Sequence, residues 1–251
     1  MKKLLALIFT AFFCAVSNAE IIQVPSEYGD TPTGYWSNSK STAVLILFPG
    51  GNGAFGLNEG KHAEPAWLTA SLYNLGKVDI VFVDSPFALG IYGSQISARY
   101  TKEHVMRVES VIKFYRDKLR KPIFIMGHSN GTITEAEFLN RDSNNQKLVA
   151  GVIFSGSRVE TSLDGPLNVP VLVLHHENDH NQSTQVEGAH RLYEAIQKIN
   201  SAPTYFSLVH GGVSNSDPYN GGYHMFEGSL PEATELVQNF ISGQSSQGKP
   251  K

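Results

Sequence analysis

Residues 122–133 read PIFIMGHSNGTI. A branched apolar run, Ile123 to Met126, stops at Gly127, His128, Ser129, Asn130 and Gly131. The pattern then turns helical through Thr132, Glu135, Ala136 and Leu139. This order predicts a buried strand, a sharp turn and a helix. The G-x-S-x-G spacing has a steric reason: a serine in a strained backbone conformation is lifted out of the sheet, and the residues two positions to either side must lack bulk for strand and helix to pass closely. Gly127 and Gly131 meet that demand.

Working outward, Thr42 to Phe48 (TAVLILF) is a continuous apolar run that ends at Pro49, Gly50, Gly51, Asn52 and Gly53, which predicts a central strand buried on both faces. A helix is expected over Glu64–Leu75, closed by Gly76, and a second buried strand over Val78–Val83. Thr101 to Leu119 is helical, with Val105, Val108, Ile112, Tyr115 and Leu119 on one stripe. Further strands are expected at Val149–Phe154, Val169–Leu174 and Thr204–Val209. Thr184 with Glu187 matches a capping box before an amphipathic helix reaching Ile199, and Ser229 with Glu232 opens a last helix to about Ile241. Residues 20–40 suit one or two short edge strands. Apolar strands alternating with helices give an α/β fold: a mostly parallel central sheet with helices on both faces, in a single domain over residues 20–242. The gap between Phe154 and Pro170 is too short for a helical cap domain.

The composition bounds the rest. The chain has 251 residues, 20 basic and 23 acidic side chains and a net charge of -3, a balance that does not point to nucleic acid. Lys2 and Lys3, the apolar stretch Leu4–Val16 and the small residues Ser17, Asn18 and Ala19 read as a signal peptide over residues 1–19, cleaved after Ala19. The apolar stretch is short for a bilayer crossing, so export to the periplasm or medium is expected, with no stable membrane anchor after cleavage. The only cysteine, Cys14, leaves with the leader, which removes thiol nucleophiles, disulfides and cysteine zinc sites from consideration. The tail, 243–251 (GQSSQGKPK), has a disordered composition.

A serine hydroxyl needs an adjacent base, and that base needs a carboxylate to fix its tautomer. In a parallel sheet such groups stand just beyond the strand carboxyl ends. After the strand at 169–174 come His175, His176, Glu177, Asn178, Asp179 and His180; after the strand at 204–209 comes a loop with Gly221, Gly222, Tyr223, His224, Met225 and Phe226. His128 and His210 rival His224 as base, and Glu177 and Asp217 rival Asp179 as acid. A metal site built from His175, His176, Asp179 and His180 is disfavoured, because consecutive residues rarely point at one ion.

With GHSNG, VLVLHHENDH and GGYHMF in this chain order, the sequence resembles the α/β-hydrolase superfamily of serine hydrolases over about Thr42–Phe240, and within it small uncapped bacterial esterases and dienelactone hydrolases. The resemblance implies Ser129 as nucleophile, Asp179 as acid and His224 as base. It implies an oxyanion hole from the amides of Asn130 and of Gly51, with Asn52 as the alternative, since FPGGNG resembles the HGGG-type loop with Pro49 in place of histidine. His175 and His176 depart from the His-Gly pair of many relatives. The implied activity is hydrolysis of a small-molecule ester through an acyl-enzyme, without metal or organic cofactor. An amidase or exopeptidase, and an inactive binding scaffold, are the alternatives. Phe55, Leu57, Phe87, Tyr92, Met225 and Phe226 are expected on loops near the mouth of the site.

Overall fold

The structure, a computed structural model, describes residues 19–59, 77–91, 93–214 and 221–243. The leader up to Asn18, the helix expected over Glu64–Leu75, Tyr92, Asp217 and the tail beyond Gly243 lie outside them.

Among the described residues the strands are β1 (Glu20–Val24), β2 (Thr31–Trp36), β3 (Ala43–Phe48), β4 (Val78–Val83), β5 (Ile123–His128), β6 (Gly151–Ser155), β7 (Val171–His176) and β8 (Thr204–Val209). They form one sheet in the order β1-β2-β4-β3-β5-β6-β7-β8. From β4 to β8 every pairing is parallel, while β1 and β2 run antiparallel at one edge. The helices are α1 (Lys102–Leu119), α2 (Gly131–Arg141), α3 (Val186–Ile199) and α4 (Leu230–Ile241).

Continuous apolar runs form the central strands because both faces are covered. Side chains alternate between faces with a period of two. Val44, Ile46 and Phe48 of β3, with Ile123 and Ile125 of β5, pack under α1, α2 and α3. Leu45, Leu47, Phe124 and Met126 pack on the other face with Ala233, Val237 and Phe240 of α4. The connection from β6 to β7, residues 156–170, contains no helix, so the sheet carries no cap there.

Several boundaries differ from the sequence reading. β7 extends through His175 and His176, so the two rings leave opposite faces of a strand rather than sharing a loop. α3 begins at Val186 behind Gln185, so Thr184 with Glu187 is not a capping box; the Thr184 hydroxyl turns toward Asp179 instead. Ser229 does precede α4, but its hydroxyl bonds the Phe226 carbonyl at 3.2 Å and Glu232 reaches the backbone of His210 at 2.8 Å. In each case a partner outside the helix terminus engages the group that a capping box would use.

α1 starts as expected, with Thr101 accepting from the His104 amide at 3.3 Å. The His104 ring is buried, and its Nε2 lies 3.0 Å from Thr134 Oγ1. Burial first, then the nearby Arg99 and Arg107, push this imidazole down to about 3. Below the ordinary value of 6.5 the unfolded chain takes up a proton that the folded one refuses. This contribution to stability is therefore intact above pH 6.5 and falls away toward about pH 3, by about 1.4 kcal/mol per pH unit. Urea unfolding at a series of pH values is expected to show His104→Gln losing that part of the acid slope; an unchanged slope would place the sensitivity elsewhere.

Candidate active site

The turn after β5 is built as its glycines require. Ser129 has φ of 53°, a left-handed conformation that strains a residue with a Cβ. A Cβ on Gly127 would lie 2.4 Å from the Gly131 carbonyl oxygen, and one on Gly131 only 2.0 Å from that of Phe48, so strand, turn and helix leave no room for side chains. The Ser129 amide donates to the Ser155 carbonyl at 3.0 Å, which ties the turn to the end of β6. Ser129 itself is half-buried at the carboxyl edge of the sheet.

The turn after β7 presents the acid. The Asp179 amide donates to the His176 carbonyl at 3.1 Å, and Asp179 Oδ1 accepts from the Asn181 amide at 3.1 Å. Its Oδ2 then faces three groups: His224 Nδ1 at 2.8 Å, the Thr184 hydroxyl at 3.1 Å and His175 Nε2 at 3.4 Å. Burial alone would raise this carboxyl, but hydrogen bonding from His175 and His224 overrides it and holds Asp179 below the usual carboxylate range. His175 Nε2 also lies 2.7 Å from the Thr184 carbonyl, which can only accept, so the proton sits on that nitrogen.

His224 stands in a short 3-10 turn, Gly222–Met225, which Gly222 anchors by donating from its amide to Glu227 Oε2 at 2.8 Å. Tyr223 stacks on the His176 ring, with centroids 4.6 Å apart. The His224 ring is buried, packs against that of His128 at 4.9 Å, and brings its Cε1 beside Gly156, the residue after Ser155. Ser129 and His224 therefore approach the same end of β6 from two sides. Among the described residues the hydrogen bonds of the His224 ring fall on Nδ1, and none joins it to the Ser129 hydroxyl.

The turn after β3 completes the arrangement. Gly51 adopts φ of 57°, and its carbonyl accepts from Asn130 Nδ2 at 2.9 Å and from Arg99 at 3.0 Å. Gly50 lies against the serine, since a Cβ there would be 2.8 Å from Ser129 Cβ. The amides of Gly51, Asn52 and Asn130 donate to no acceptor among the described residues. Amides left open beside a hydroxyl are suited to holding a negatively charged oxygen.

The rival residues go elsewhere. His210 is paired with Glu232 at 3.0 Å, and Glu177 lies on the other side of the same ring, 3.9 Å from its Nε2. His175 and His176 direct their Nε2 atoms to the carbonyls of Thr184 and Gly211 respectively, so they do not converge on one ion. His128 bonds Ser155 through Nδ1 at 3.1 Å, as a structural residue does, yet it also forms the floor under His224. Among the residues expected at the mouth, Leu57 and Phe226 are buried in the core, Phe55 and Phe87 are exposed, and Met225 is half-buried. The role of Thr184 beside Asp179, and Arg99 altogether, were missed from sequence because nothing local marks a side chain that reaches across the fold.

Sheet order, the strained serine after β5 and the absence of a cap define the uncapped α/β-hydrolase fold. No family model matches the sequence, and no curated protein matches it. Solved structures do. A dienelactone hydrolase from Anabaena variabilis superposes with a TM-score of 0.61 at 13% identity, covering 90% of this chain and 97% of that one. EstE1, a thermostable carboxylesterase from a metagenomic library, gives 0.61 at 17% identity, with 92% and 90% covered. An α/β serine hydrolase without lid from Xanthomonas campestris gives 0.54 at 9% identity, with 93% and 98% covered. At these identities the likeness is one of fold.

Proposed function

We propose that this protein is a serine hydrolase that cleaves a carboxylic ester through an acyl-enzyme. Ser129 Oγ attacks the ester carbonyl while His224 Nε2 takes its proton, and Asp179, which accepts from Nδ1, stabilises the imidazolium that results. The amides of Asn130 and of Gly51 or Asn52 receive the developing oxyanion. Collapse expels the alcohol, protonated by His224; water then attacks the acyl group by the same route and frees the acid. The alcohol leaves with the proton His224 took from Ser129, and the attacking water gives its proton to His224, which returns it to Ser129, so the proposed route calls on no metal or organic cofactor. The observation that supports this reading best is the pairing of Asp179 with His224 at 2.8 Å beside a serine forced into a left-handed backbone.

The test is treatment with a fluorophosphonate, followed by peptide mass spectrometry. Modification confined to the peptide holding Ser129, and turnover of p-nitrophenyl esters well above matched anilides, are expected. A folded protein that is neither modified nor active would overturn the proposal, and equal turnover of the anilides would make it an amidase.

Thr184 gives a second expectation. Replacing it with valine keeps the shape and removes one donor to the Asp179 carboxylate. A hydrogen bond to a charged group contributes about 1.5–3 kcal/mol, so kcat is expected to fall about tenfold or more. Unchanged kcat would show that His175 and His224 suffice. Export remains part of the proposal: the ordered sheet begins at Glu20, directly after the expected cleavage point. Protein recovered from the periplasm or medium is expected to begin at Glu20, and protein found only inside the cell with its leader intact would contradict export.

A further inference from the structure

The buried cation behind the Gly50–Gly53 turn has no part in the chemistry above. Arg99 lies in the last turn of the 3-10 segment Gly93–Tyr100 and is 1% exposed. Among the described residues no carboxylate pairs with it. Burial, and then Arg158, push its guanidinium down to about 9, so it remains charged at neutral pH. A charge buried without a counter-ion is expensive and persists only where its hydrogen bonds serve a purpose.

Those bonds are specific. Nη1 donates to Thr134 Oγ1 at 2.8 Å, and Nη2 donates to the carbonyls of Gly51 at 3.0 Å and Pro49 at 3.4 Å. Thr134 Oγ1 is itself held 3.0 Å from His104 Nε2, which fixes the far end of the fork. A trans peptide is a rigid plane whose carbonyl and amide point in opposite directions. Holding Pro49 O fixes the plane that ends in the Gly50 amide. Holding Gly51 O fixes the plane that ends in the Asn52 amide. The plane between them, which carries the Gly51 amide, is fixed through Gly50 O by the Gly53 amide at 3.2 Å. Asn130 Nδ2 reinforces the Gly51 carbonyl from the serine side at 2.9 Å. Three consecutive planes are thereby set, two of them by one side chain, in a glycine-rich turn that has little stiffness of its own.

We infer that Arg99 is a positioning residue for the oxyanion loop: by pinning the Pro49 and Gly51 carbonyls from inside the fold, it aims the open amides of the turn at the reacting carbonyl. The inference rests on the serine-hydrolase reading. Its effect falls on kcat, because the oxyanion exists only after attack, whereas the bound ester makes weaker use of the same amides.

The experiment compares wild type with Arg99→Met and Arg99→Lys on one p-nitrophenyl ester, with a thermal melt for each. A folded Arg99→Met is expected to lose about 10- to 100-fold in kcat, with KM within about threefold. Lysine keeps the charge but, with a single nitrogen, cannot hold Thr134 and the carbonyls as the two-pronged guanidinium does, so it should recover only part of the loss. The affinity for a boronic acid, which forms a tetrahedral adduct on the serine, should weaken in step with kcat. Folded variants with wild-type kcat and boronate affinity would overturn the inference. Failure of both variants to fold would make Arg99 a structural residue and overturn it as well. A wild-type protein with no ester turnover and no fluorophosphonate labelling would instead remove the serine-hydrolase reading beneath it.

Discussion

Ser129→Ala is expected to lower kcat for ester hydrolysis by about 10⁴- to 10⁶-fold while leaving the thermal melt close to that of wild type. The change removes one oxygen from a half-buried side chain and keeps a Cβ in the same left-handed turn, so it tests chemistry without testing the fold. His224→Ala should cost a similar factor, and the double variant little more than either alone, because nucleophile and base act as one unit. Asp179→Asn should cost about 10⁴-fold, since an amide at that position no longer enforces the proton on His224 Nδ1. Steady-state kinetics on an activated ester, with active-site titration to exclude traces of wild type, provide the measurement. Retention of more than about 1% of wild-type kcat by Ser129→Ala would remove the serine from the mechanism.

The second large effect is on stability. Gly131→Ala would place a carbon where the Phe48 carbonyl oxygen already stands 2.0 Å away, and that carbonyl belongs to a central strand paired on both sides. Neither backbone can retreat without breaking sheet pairing, so the loss should exceed the usual 1–3 kcal/mol of overpacking and leave little soluble protein. Gly51→Ala is the control. It also has positive φ, but a Cβ there meets nothing within 4 Å, so only about 1–2 kcal/mol of backbone strain is expected. Urea unfolding and the yield of soluble protein distinguish the two. Equal losses at both positions would mean that conformational strain, and not the close passage of α2 over β3, explains the glycine at 131.

Much of the fold was legible because its central strands are buried on both faces and so read as unbroken apolar runs, as at Val44–Phe48 and Ile123–Met126. The serine turn was legible because its glycines answer to local sterics. Where sequence reading went astray, a distant partner had displaced a near one. Thr184 carries every local mark of a helix cap, yet its hydroxyl bonds Asp179, a contact that exists only once the β7 turn has folded back. His175 and His176 continue the strand by pairing with Leu208 and Val209, and their rings reach the carbonyls of Thr184 and Gly211. Phe226 sits in a loop by sequence and in the core by structure, in a left-handed conformation with φ of 54°. Arg99 was invisible altogether, since a guanidinium that holds backbone carbonyls leaves no pattern in the residues around it.

The distribution of the site along the chain has a temporal side. Ribosomes deliver the serine turn well before the imidazole, and parallel pairing across the sheet must wait for distant segments to meet. On the proposed mechanism, a polypeptide that stops short of His224 bears a serine hydroxyl without its base, and competence arises all at once, when β8 and the turn beyond it dock.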